Sequence, residues 1–120
     1  MNNIVYNLNI ILDDVIQNAL SIGFPVSNNM ERKIYIDKKT YDRVGACYRY
    51  KFPERYEIHL SEDTLRASKK HIKNIIAHEV LHANIMTIEH NVFWQTYCDL
   101  MNDKFGYNIK LTYSWDEILK

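Results

Sequence analysis

Glycine, proline and cysteine are scarce in this 120-residue chain, at three, two and two residues. With so little Gly and Pro there is no stretch of linker composition, and no repeat or low-complexity tract interrupts the pattern, so residues 1–120 read as a single domain. Cys47 and Cys98 lie 51 positions apart and form no C-x-x-C pair, which excludes a zinc ribbon, a thioredoxin-type motif and a disulfide framework. They read as free thiols in a reducing cytoplasm. An excess of one charge is also missing. Fifteen Lys+Arg balance fifteen Asp+Glu, which rules out a polybasic tail while leaving room for a local basic patch. No run approaches the roughly 20 apolar residues that span a bilayer. The opening MNNIVYNLNIILDDVIQ has neither the basic start nor the unbroken apolar core of a secretory signal. A soluble cytoplasmic protein with no membrane partner is expected. A chain of this size buries roughly two-thirds of its unfolded surface, so it needs no metal merely to fold. Any metal would serve chemistry.

What is present is a sequence of clear periodicities. Leu8, Ile11, Leu12, Val15, Ile16, Ala19 and Leu20 recur at helical spacing until Gly23 and Pro25 stop them. Lys33–Asp37, Ala46–Lys51 and Tyr56–Leu60 read as three short strands, the last with Tyr56, Ile58 and Leu60 on one face and Glu57 and His59 on the other. Their connections suit an antiparallel meander. From about Asp63 the helical period returns, with Ile72, Ile75, Ile76, Val80, Ala83 and Met86 on a second helix. A third begins at the N-cap residue Asn91, carries Trp94, Tyr97, Met101 and Phe105, and ends at Gly106. Ile109, Leu111 and Tyr113 then alternate as a short strand or extended arm. The order predicts an α+β domain.

The second helix contains His78-Glu79-Val80-Leu81-His82, an H-E-x-x-H motif. On a helix the two histidines stand about 6 Å apart along the axis and about 40° apart around it, so their imidazoles can converge on one ion. Glu79, about 100° round from His78, is poorly placed as a ligand but able to reach a water held by that ion. Two neutral nitrogens, a third protein ligand and an open position are what a catalytic Zn²⁺ requires, with Glu79 as general base. The third ligand is expected to be His90, with Glu89 and Asp99 as alternatives. On an unbroken helix His90 would lie about 12 Å beyond His82, so the chain must turn back near Thr87 and Ile88.

His78 to Ala83, a short loop and His90-Asn91-Val92-Phe93-Trp94 resemble the SprT-like family of zinc metallopeptidases, in which H-E-x-x-H is followed by H-G-x-x-F/W opening the next helix. Trp94 falls on the aromatic position and Asn91 replaces the usual glycine. Gly45-Ala46-Cys47-Tyr48 through Ile58-His59-Leu60-Ser61 and Leu65 is similar to the family's approach to that helix, so the likeness runs from about residue 41 to 106. The resemblance implies a zincin-like minimal protease fold, one catalytic zinc on His78, His82 and His90, and Glu79 as general base. It also implies a protein or peptide substrate, including protein bound or crosslinked to DNA. The seven-residue loop between His82 and His90 is short for the family, and the C-terminal cysteine-rich zinc ribbon is missing. Two rivals follow: a site-specific regulatory protease indifferent to DNA, and a zinc-binding interaction module without catalysis.

Other residues are less specific. His71 is too far along the helix, at about 10 Å from His78, to share the ion. His59 faces either water or the cleft, on a strand with a free edge for an extended peptide. Tyr97, Tyr107 and Tyr113 are candidates for an oxyanion-stabilising phenol. Lys38, Lys39, Arg43, Arg49, Lys51 and Arg55, interleaved with Tyr41, Tyr48 and Tyr50, form either a single-stranded nucleic-acid surface or a solvated sheet face. Lys69, Lys70 and Lys73 oppose the dipole of the second helix.

Overall fold

The computed structural model describes the backbone of residues 3–38 and 43–119, with side chains from Leu8 onward. Helix α1 (Asn3–Ser21) buries Leu8, Ile11, Leu12, Val15, Ile16 and Ala19, as its periodicity predicts. Leu20 is the exception, turned to solvent at the rim. The chain leaves through Gly23, with Phe24 N–H donating to Ala19 O at 3.0 Å.

Three strands follow: β1 (Met30–Asp37), β2 (Gly45–Lys51) and β3 (Glu54–Ser61). The expected antiparallel meander is wrong. The order is β1-β3-β2, with β3 antiparallel to β2 and parallel to β1. After β1 the chain skips one strand position, returns as β2, and the turn at Phe52–Pro53 folds β3 into the gap. Burial explains the arrangement. Tyr56, Ile58 and Leu60 are all 2% exposed or less, and a strand this apolar gains most where both of its edges are paired. Among the described residues the free edges therefore belong to β1 and β2, not to the strand carrying His59.

The pleat sends Glu57 and His59 to the face opposite the core, yet neither is solvated. His59 Nδ1 lies 2.8 Å from Asp37 Oδ1 and its Nε2 2.9 Å from Glu57 Oε1. The ring stacks on Tyr35 and meets Tyr48 edge-on. Burial pushes the Glu57 carboxyl up, but hydrogen bonds from His59 and Arg55, with the charge on Arg55, outweigh it and hold the group below the usual carboxylate range. A depressed carboxyl contributes stability above its unfolded value of about 4.3 and loses it as pH falls through the folded one. The stability advantage of wild type over Glu57→Gln, measured by urea unfolding, should shrink as pH is lowered from 6 towards 3. A gap independent of pH would contradict this.

A 3-10 turn (Glu62–Arg66) leads into α2 (Lys69–Val80), whose N-cap Ser68 accepts from His71 N–H at 3.2 Å. Gly45 sits where β2 meets α2: a Cβ there would be 3.2 Å from His59 O and 3.2 Å from Ile75 Cγ2, a tight fit that a larger residue would meet only if these neighbours shifted by a few tenths of an ångström. Helix α2 stops at Val80, short of the expected run to Met86. Asn84 is the reason. Its side chain accepts from Met86 N–H and donates to Pro25 O at 2.7 Å, drawing the chain into a separate 3-10 turn (Ile85–Thr87) with Met86 exposed. Helix α3 (Val92–Phe105) begins at N-cap Asn91 and ends at Gly106 with φ +72°, as predicted. The following segment is an extended arm without strand pairing: Ile109 is buried and Leu111 exposed. A short helix α4 (Trp115–Ile118), unforeseen, is closed by a capping box between Ser114 and Glu117. Among the described residues, no helix is long and apolar enough to cross a membrane.

Candidate metal centre

His78 lies in the last turn of α2 and His82 just beyond it, where His82 N–H donates to Glu79 O at 3.0 Å. This tightened turn keeps both rings on one side although the helix has ended. His90 arrives from the opposite direction, one residue before the N-cap of α3. Asn91 fixes that reversal with both ends of its amide: Oδ1 accepts from Trp94 N–H at 3.0 Å and Nδ2 donates to Met86 O at 2.8 Å.

The result is convergence of three nitrogens. His90 Nε2 is 3.0 Å from His82 Nε2 and 3.0 Å from His78 Nε2. Carbonyls decide the tautomers, since a carbonyl only accepts. His78 Nδ1 donates to Lys110 O at 2.7 Å and His82 Nδ1 donates to Thr87 O at 2.8 Å. Both Nε2 atoms of the neutral rings therefore carry lone pairs. A proton on His90 Nε2 could satisfy only one of them. Tetrahedral zinc with bonds of 2.0–2.1 Å places its ligand nitrogens about 3.3 Å apart, close to this spacing. The His78, His82 and His90 cluster can hold one metal ion.

Electrostatics favour the neutral form of the rings, the form that a metal ion requires. Burial pushes His78 down to about 3, partly opposed by its bond to Lys110 O. Burial likewise lowers His82 and His90. Glu79, 8% exposed, has Oε2 3.9 Å from His78 Nε2, and burial pushes its carboxyl up to about 8. A cation beside it would draw that value back down. Trp94, fully buried, backs the whole group. Its ring centroid is 4.8 Å from that of His78, 5.5 Å from His82 and 4.7 Å from His90, and its Nε1 donates to His78 O at 3.3 Å.

The sequence model of the SprT-like family matches residues 12–113, a span that contains every residue of this cluster. The chain belongs to the SprT-like family. Comparison with curated proteins and with solved structures gives no match.

In this SprT-like chain the remaining candidates fall away from the centre. Glu89 and Asp99 are not in the cluster, and Asp99 accepts from Gln95 at 3.0 Å. His71 is bound to Ser68 Oγ. Tyr97 packs edge-on against Phe24, and Tyr107 Oη accepts from Asn18 at 2.8 Å. Tyr113 alone approaches, its ring 5.8 Å from that of His78, but its hydroxyl accepts from Lys110 N–H and donates to Asn74 O. The arginines of the basic segment are paired: Arg49 with Glu54, Arg55 with Glu57, Arg43 with Asp37. Lys39 and Tyr41 lie outside the described residues. The carbonyls of Thr87 and Lys110 escaped the sequence reading because a backbone acceptor has no residue signature.

Because Asn91 ties the His90 loop to α3, Asn91→Ala should cost about 1 kcal/mol of stability and also weaken metal binding. Chelator competition on the folded variant measures the second effect; an unchanged affinity would mean that His90 is held by other contacts.

Proposed function

We propose that this SprT-like protein is a zinc metallopeptidase, with His78, His82 and His90 holding the ion through Nε2 and Glu79 acting as general base. The observation that carries the reading is the meeting of three imidazole Nε2 atoms beside a buried carboxyl. Zinc at such a site supplies Lewis acidity, polarising a carbonyl and lowering the pKa of water to about 7.

The protein's own groups do the rest. The carbonyls of Lys110 and Thr87 hold the rings of His78 and His82 in the tautomer that offers Nε2. Glu79 Oε2 takes the proton of the attacking water and returns it to the leaving amine nitrogen, as a general base that becomes a general acid. His90 is exposed, so a polypeptide can approach from its side. Among the described residues β2 has an unpaired edge that an extended substrate can join. On this reading the chain is a minimal zincin-like protease fold. The test is cleavage of an unfolded polypeptide by zinc-loaded protein, removed by a chelator and restored by Zn²⁺. Zinc-replete protein that cuts no polypeptide would contradict it.

A further inference from the structure

The bond from His78 Nδ1 to Lys110 O makes one ligand depend on a segment with no regular secondary structure of its own. Lys110 is exposed and lies in the arm after α3, where an unsupported peptide would wander by more than a hydrogen bond tolerates. The support comes from side-chain amides. Asn102, in the last turn of α3, grips the residue before Lys110 at both polar atoms: Nδ2 donates to Ile109 O at 3.1 Å, and Oδ1 accepts from Ile109 N–H at 2.8 Å. Cys98 Sγ adds a weak contact to Ile109 O at 3.5 Å. On the other side Tyr113 Oη accepts from Lys110 N–H at 3.0 Å and donates to Asn74 O at 3.4 Å. Asn74 Oδ1 accepts from Asn108 N–H at 3.0 Å. The peptide joining Ile109 to Lys110 is thus held at both its oxygen and its nitrogen, which aims the next carbonyl at His78.

We propose that Asn102 is a positioning residue for the metal centre, fixing the orientation and tautomer of His78 through the main chain of Ile109 and Lys110. Asn102 touches neither the three-histidine cluster nor Glu79, and nothing in its sequence position announces the role. The proposal rests on the reading of His78 as a metal ligand. Partners that orient a ligating histidine from behind typically contribute 10- to 100-fold in metal affinity.

Two measurements on the full chain test this. In metal-free protein, ¹⁵N spectra of the His78 ring should show the Nδ1–H tautomer in wild type and a mixture with Nε2–H in Asn102→Ala. Zinc affinity by chelator competition, at a temperature where both proteins are fully folded, should fall in Asn102→Ala by up to about 10-fold, the low end for a direct partner, because Asn102 acts through Lys110 O. The control Asn18→Ala removes the hydrogen bond to Tyr107 Oη, which is not on the path to His78, and should leave both readouts unchanged. If Asn102→Ala does not fold, Asn102→Asp, which keeps the acceptor for Ile109 N–H and removes the donor to Ile109 O, decides in the same way. An unchanged tautomer together with unchanged zinc affinity overturns the proposal and leaves the peptidase reading standing. Wild-type protein that binds no zinc overturns that reading, while the ring spectrum still decides whether Asn102 governs His78.

Discussion

Glu79→Gln should bind zinc as wild type does and cut polypeptide at least about a hundredfold more slowly, the usual scale for a lost general base. Glutamine fills the same volume and keeps an amide in place of the carboxyl, so the helix and the three-histidine cluster are undisturbed. What it lacks is a basic oxygen. The carboxyl oxygen lies 3.9 Å from His78 Nε2, beside the converging nitrogens, yet Glu79 is not among the three groups whose ligand atoms gather on one point, which suits a group that handles the protons of water rather than the metal. Turnover on an unfolded protein substrate, measured beside zinc stoichiometry, separates the two functions. Equal rates for the two proteins would remove Glu79 from the mechanism. Lost activity with lost zinc would make it a structural residue of the site.

Trp94→Ala should cost roughly 3–5 kcal/mol of folding stability, the range for removing a fully buried large aromatic. Against a total of about 5–15 kcal/mol for a domain, that leaves little margin. The effect does not stop at the cavity. The indole lies against all three imidazoles and donates to the carbonyl of His78, so its removal leaves an unpaired acceptor and frees the rings to turn. Zinc affinity should therefore fall in whatever fraction remains folded. Trp94→Phe keeps a ring but not the donor, and should lose less on both counts. Urea unfolding and chelator competition check the pair; an alanine variant within 1 kcal/mol of wild type would show that the site can collapse around the gap.

How much of this was legible depends on whether a feature is local. Asn91 and Gly106 mark the ends of α3 because an N-cap and a left-handed terminator act within a few residues, and both ends fell where the sequence put them. The stripe of α1 was readable for the same reason. Strand order was not. Alternation showed that Tyr56, Ile58 and Leu60 face a core, but which strands flank β3 depends on pairings between distant residues, and the parallel partner β1 was missed. That error carried others. With β3 in the centre, His59 cannot lie on a free edge, and the register that sets Tyr35 and Asp37 beside it encloses an outward-facing ring. Similarly, nothing near Val80 predicts the helix end, because Asn84 is held by Pro25 from a remote loop. The three histidines themselves were found from spacing and chain reversal, and they meet. Their supports, two carbonyls and Asn102, depend on tertiary placement alone.

X-ray absorption at the zinc edge, combined with an anomalous-scattering map of crystals grown with zinc, addresses the central claim most directly. One ion per chain is predicted, with three imidazole nitrogens from His78, His82 and His90 at about 2.0–2.1 Å and one position not filled by protein. A site with no ion in zinc-replete protein, or an ion whose four positions are all taken by side chains, would contradict the account.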